Sequence, residues 1–113
     1  MKAINCTLFA KKGKDGSKAR FWIGVSTPEL DENDKVTGWV QASMPARLSK
    51  DAKTAFKEFM TETKNNKEVL MGRIAINDGW LNAAKTKDGE TFVYIFINKL
   101  AKRETNPSDE DDF

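Results

Sequence analysis

Val36-Thr37-Gly38-Trp39-Val40-Gln41-Ala42-Ser43-Met44 gives way, past Pro45, to Ser49-Lys50-Asp51-Ala52-Lys53-Thr54-Ala55-Phe56-Lys57-Glu58-Phe59-Met60. In the first segment residues alternate with a period of two. Val40, Ala42 and Met44 oppose Trp39, Gln41 and Ser43, which is the pattern of a strand. In the second segment the period changes. Ala52, Ala55, Phe56, Phe59, Met60 and Thr63 recur at i, i+3, i+4 spacing, with Lys53, Lys57, Glu58, Glu62 and Lys64 opposite them. That spacing predicts one amphipathic helix of about four turns. Pro45 is expected to break the strand, Ser49 to cap the helix and Asn65-Asn66 to end it, while Asp51 suits the positive end of the helix dipole.

Outward from this switch the chain alternates with period two on both sides. Upstream, residues 2–10 set Ile4, Cys6 and Leu8 against Asn5, Thr7 and Phe9. Lys11 to Lys18 is a Gly-rich basic connection with the composition of a hairpin turn. Residues 19–26 set Phe21, Ile23 and Val25 against Arg20, Trp22 and Gly24, and Pro28 to Asp34 reads as a polar, acidic loop. Downstream, residues 68–77 place Leu70, Ile74 and Ile76 inward and Met71, Arg73 and Ala75 outward. Asn77-Asp78-Gly79 signals a turn or bulge. Trp80 to Thr86 continues the strand, Lys87-Asp88-Gly89-Glu90 is a hairpin turn, and residues 91–99 close the pattern with Val93, Ile95 and Ile97 inward. The predicted order is β-β-β-α-β-β(-β), a mainly β fold with one helix.

The 113 residues suffice for one domain with a real core, expected over residues 1–103, plus a tail over 104–113. No stretch approaches the roughly 18 apolar residues of a membrane span, and the N-terminus has no apolar signal region, so a cytoplasmic location is the expectation. The single Cys6 excludes an internal disulfide and reads as a core residue. Histidine is absent, which removes the usual general base, the Ser-His and Cys-His pairs and the commonest metal ligand. No phosphate-binding loop or spaced carboxylate motif stands in their place. No catalytic residue, metal ligand or cofactor is expected, and binding functions come to the front.

Charge is distributed unevenly. Residues 104–113 carry five acids and no Lys or Arg, which leaves 19 basic against 12 acidic residues, net +7, for residues 1–103. A basic body with an acidic tail suggests a polyanion-binding domain with an acidic interaction segment, and the like-charged tail is expected to be disordered. Asp109, Glu110, Asp111 and Asp112 run into Phe113. A solubilising tail gains nothing from a terminal Phe, but a ring plus an α-carboxylate is a peptide that a basic, apolar pocket on another protein could grip.

A half-exposed sheet should be polar opposite its core face. Here that face carries Phe9, Trp22, Trp39, Trp80, Phe92, Tyr94 and Phe96, interleaved with Lys11, Arg20, Gln41, Arg73, Asn82 and Asn98. Rings among cations and amides are what a single-stranded nucleic acid platform requires, since bases stack on rings while Lys and Arg neutralise phosphates. The candidate binding residues are Lys11, Lys12, Lys14, Lys18, Arg20, Trp22, Trp39, Arg73, Trp80, Phe92, Tyr94 and Phe96. The competing reading buries both faces, in a closed barrel or a subunit interface.

Three strands, a helix and further strands match the order of the OB-fold, a five-stranded Greek-key barrel with its helix between the third and fourth strands, so an OB-fold-like barrel of five to six strands is expected. With the tail, the chain resembles the small single-stranded DNA-binding proteins of bacteria and their bacteriophages. The resemblance implies sequence-nonspecific coating of single strands in DNA replication, recombination or repair, and it narrows the cytoplasmic location to a bacterial host cell. It also implies that Asp109, Glu110, Asp111, Asp112 and Phe113 bind replication or recombination partners. The Ile-Pro that usually precedes the final Phe in bacterial members is missing, as is their long Gly/Gln-rich linker, which points to a compact phage type. A homodimer or a cooperative assembly on DNA is expected. Two other readings stand beside this one: an oligomeric protein-interaction module using the apolar face, and an RNA-binding chaperone.

Overall fold

The computed structural model describes residues 2–13 and 18–103. Its elements are β1 (Ile4–Lys11), β2 (Arg20–Leu30), β3 (Val36–Leu48), α1 (Lys50–Lys57), β4 (Thr61–Glu62), β5 (Val69–Lys85) and β6 (Thr91–Lys102). β1 pairs antiparallel with both β2 and β5, β2 pairs with β3, and β5 with β6. The ring closes where β3 runs parallel to β6, from Ala46↔Ile95 to Leu48↔Ile97. The result is a closed five-stranded barrel of the OB-fold-like kind, with the two-residue β4 added at β5.

The inward alternation fills the barrel. Cys6, Leu8 and Ala10 of β1, Ile23, Ala46, Leu48, Ile74, Ile76, Ile95, Ile97 and Leu100 are all buried. α1 closes one end by inserting Ala52 and Phe56, with Phe59 and Met60 packed behind them. The helix starts where it does because Ser49 satisfies groups on both sides. Its Oγ accepts the Ala52 N–H at 3.1 Å and donates to the Asn98 carbonyl of β6 at 2.7 Å. Gly72 makes the close approach possible: a Cβ there would lie 2.9 Å from both the Phe56 and Phe59 rings.

Three expectations are corrected. α1 has eight residues, about two turns rather than four. Glu58 caps it, its N–H donating to the Ala55 and Phe56 carbonyls, and the chain then turns so that Thr61 pairs with Met71. Phe59 and Met60 still face the core, so burial is satisfied without the extra helical turns, and Asn65-Asn66 ends no helix. Pro45 does not break β3, which continues to Leu48. Pro45 keeps its place opposite Trp22 of β2 and precedes the β6 ladder, which begins at Ala46. Pro28 to Leu30 belongs to β2 rather than to a loop.

The inward assignments of Ile4, Val25, Val40, Ala42 and Val93 also fail, because all five are exposed. β2 and β3 pair from Phe21↔Ala46 out to Leu30↔Val36, well beyond the barrel wall, and their outer part forms a two-stranded arm. The β5–β6 hairpin likewise outruns the wall, leaving Leu81 and Val93 in solvent. Its tight turn holds Gly89 at φ 85°, the region that favours glycine. The expected Asn77-Asp78-Gly79 irregularity is a bulge: the β5–β6 register shifts around Asp78 while β5 runs on unbroken.

Candidate nucleic-acid interface

The outward alternation of β1, β2 and β3 builds the floor of a groove. Phe9 pairs with Trp22, and Trp22 with Pro45. Next along the strands, Thr7 pairs with Gly24, and Gly24 with Ser43. The Phe9 and Trp22 rings stack in parallel, 5.6 Å between centroids and 9° between planes. Gly24 makes room for this arrangement, since a Cβ there would lie 2.9 Å from Phe9 Cε2. Asn5, Thr7, Ser26, Gln41 and Ser43 line the rest of a cleft of about 600 Å³, with Arg73 and Arg103 at its side. Arg73 sits opposite Thr7 in the β1–β5 register, and the Arg103 N–H donates to the Arg73 carbonyl at 3.0 Å. Two cations and a stacked ring pair therefore border a polar-floored groove.

A second aromatic group lies on the outer face of β5 and β6. Beyond the bulge, Trp80 pairs with Phe96 and Asn82 with Tyr94. The Trp80 and Phe96 rings stack at 4.9 Å, and Phe92 is 6.3 Å from Tyr94. Tyr94 is the most covered of these rings, at 9% exposure. The Arg47 guanidinium lies over it, 4.4 Å from the centroid, and Asn82 Nδ2 donates to its hydroxyl at 3.2 Å.

The predicted site residues thus divide into four places. Trp22 and Arg73 line the groove. Trp80, Phe92, Tyr94 and Phe96 form the second group. Lys11, Lys12, Lys18 and Arg20 flank the β1–β2 connection, where Lys11 pairs with Arg20. Trp39 stands apart on the arm, 61% exposed and paired with Pro28. Lys14, Asp109, Glu110, Asp111, Asp112 and Phe113 lie outside the described residues.

Four contributors are absent from the predicted set: Phe9, Gly24, Arg47 and Arg103. Phe9 and Gly24 are visible in the alternation, and only their pairing across β1 and β2 shows that they act together. Arg47 shares the parity of Trp39, Gln41 and Ser43, a signal that an assumed strand end at Pro45 conceals. Arg103 follows the last strand and carries no periodic signal.

Cys6 lies beneath the groove floor. Burial pushes its thiol up to about 11, partly offset by the positive charge of Arg103. A thiol so shifted stays protonated at neutral pH and is a poor nucleophile. Among the described residues, no cluster of His, Cys, Asp and Glu could hold a metal ion, and no helix is long and apolar enough to cross a membrane. Comparison of the chain with protein-family models, curated proteins and solved structures finds no match.

Proposed function

We propose that the protein binds single-stranded DNA without sequence preference, bases stacking on the outer barrel face and phosphates meeting its cations. The observation that carries this reading is the parallel Phe9–Trp22 stack in a groove flanked by Arg73 and Arg103. A ring pair at the surface of a closed barrel contributes nothing to a core already filled from inside, whereas each stacked base is worth about 1–3 kcal/mol. The Lys11, Lys12, Lys18 and Arg20 flank supplies sequence-blind attraction for the backbone. No acid–base or nucleophilic group is needed.

The tail reading rests on sequence. Asp109, Glu110, Asp111, Asp112 and Phe113 recruit partner proteins in replication, recombination or repair, and compete with DNA for the basic surface. This is the arrangement implied by resemblance to the bacteriophage-type proteins.

The test is a tryptophan fluorescence titration with oligo(dT), with duplex DNA as control, across a salt series. Quenching by oligo(dT) alone is expected, its affinity falling with a log–log slope of about −0.7 per phosphate neutralised. Truncation before Asp109 should leave that affinity equal or tighter. An unchanged spectrum with both DNAs sinks the proposal, and a severe loss on truncation sinks the tail assignment.

A further inference from the structure

The β2–β3 arm is a two-stranded ribbon with exposed apolar residues, and its charge is opposite to that of the body it projects from. From Thr27↔Val40 through Pro28↔Trp39 to Leu30↔Val36 it pairs only with itself among the described residues. Leu30 is 53% exposed and Val36 55%. A lone two-stranded hairpin is at best marginally stable in water, and apolar side chains on it add exposed surface without a packing return. Residues 26–43 carry four acids, Glu29, Asp31, Glu32 and Asp34, against Lys35, net −3. Residues 1–103 outside the arm carry 18 basic against 8 acidic residues, net +10.

The two signs lie at opposite ends of one ladder. The acids cluster at the arm tip, where Asp31 Oδ1 accepts the N–H groups of Asn33 and Lys35 and shapes the turn. At the other end, Phe21 pairs with Ala46, Lys53 reaches over the Phe21 ring at 6.0 Å, and Lys11 pairs with Arg20. Nine residues separate Phe21 from Leu30, about 30 Å of strand. An acidic tip repels a phosphate backbone, so the arm is a poor nucleic acid contact. It complements a basic end with a half-buried ring, and the chain carries such an end itself.

We infer that the acidic, apolar tip of the β2–β3 arm docks on the basic α1 end of a second copy of this chain, head to tail. A contact between two different surfaces need not close on itself, so it propagates into a row rather than stopping at a dimer. Granting the DNA-binding reading above, the same contact makes coating of a strand cooperative. The self-association itself needs no DNA.

The test is sedimentation velocity of the full chain without DNA, over a concentration series at low and high salt. The average mass should climb past that of a dimer at low salt and fall to the monomer at high salt. Glu29→Lys with Glu32→Lys should abolish the climb, as should Lys50→Glu with Lys53→Glu. All four side chains are exposed, and circular dichroism checks that each double variant folds. Mixing the two double variants should restore association, because each then meets a complementary surface. A wild-type monomer at all concentrations at low salt overturns the inference. So does a closed, salt-insensitive dimer, or charge reversals that associate like the wild type. None of these outcomes bears on the oligo(dT) titration, so the two readings fail separately.

Discussion

The Arg47 guanidinium lies over Tyr94 with its carbon 4.4 Å from the ring centre, while Asn82 of β5 donates to the ring's hydroxyl. Arg47 comes from β3 and Tyr94 from β6, so the contact spans the short parallel seam that closes the barrel. It also accounts for the low exposure of a ring that alternation places on the outside. Under the proposed DNA-binding function, a base would stack there only after the guanidinium moves, which would free Arg47 to meet a phosphate.

Arg47→Ala removes the contact with Tyr94 and tests the proposed phosphate role. The lost cation–π contact should lower stability by about 0.5–1 kcal/mol, measured by urea denaturation. If Arg47 neutralises one phosphate, the salt slope for oligo(dT) should become shallower by about 0.7. An unchanged slope would confine Arg47 to a packing role.

Gly24→Ala separates the groove from the fold. The added Cβ meets the edge of the Phe9 ring, a half-exposed side chain that can swing away, so the melting temperature should change little. The Phe9–Trp22 stack is displaced as the ring moves. Oligo(dT) affinity should fall roughly fivefold or more, the loss of ~1 kcal/mol of stacking. Equal affinity in the two proteins would place the bound strand elsewhere.

Gly72→Ala makes the opposite separation. Here the new methyl would lie 2.9 Å from two rings, and Phe56 is fully buried against the barrel end. The ring has nowhere to go without displacing α1. Overpacking of this kind costs about 1–3 kcal/mol, visible as a lower urea midpoint, with oligo(dT) affinity unchanged under conditions where the variant is folded.

Much of the barrel is legible in the alternation of small and large apolar residues. Leu8, Ile23, Ile74, Ile95 and Ile97 are buried where the pattern puts them. Alternation records which side of a strand a residue occupies, not whether a wall stands opposite. Val25, Val40 and Val93 keep the correct parity yet stand in solvent, because their strands run past the barrel into hairpins. Phe59 and Met60 fit a helix and a turned chain equally well, and only the pairing of β4 with β5 decides between them. The groove is less legible still. It depends on Phe9, Trp22 and Gly24 meeting across two strands and on Arg103 being held to Arg73 by a backbone bond. Long-range register of this sort leaves no mark on local spacing.

Cys6 should make stability fall at alkaline pH. Burial raises its folded-state value from 9.0 to about 11, the charge of Arg103 opposing the shift. Below about pH 9 the thiol is protonated in folded and unfolded chains alike and contributes no pH dependence. Between about 9 and 11 the unfolded chain releases the proton while the folded chain retains it, so the unfolded state gains free energy of ionisation and folding weakens. A shift of two pKa units corresponds to ~2.7 kcal/mol when fully expressed. Other groups ionise at alkaline pH as well, so the informative quantity is a difference. Cys6→Ala leaves a small cavity, a cost that does not depend on pH, and removes the ionisation. The stability of wild type minus variant, from urea denaturation, should therefore be flat below about pH 9 and decline steadily above it. A difference that stays flat to about pH 11 would mean that the thiol ionises as readily under the groove floor as in the unfolded chain.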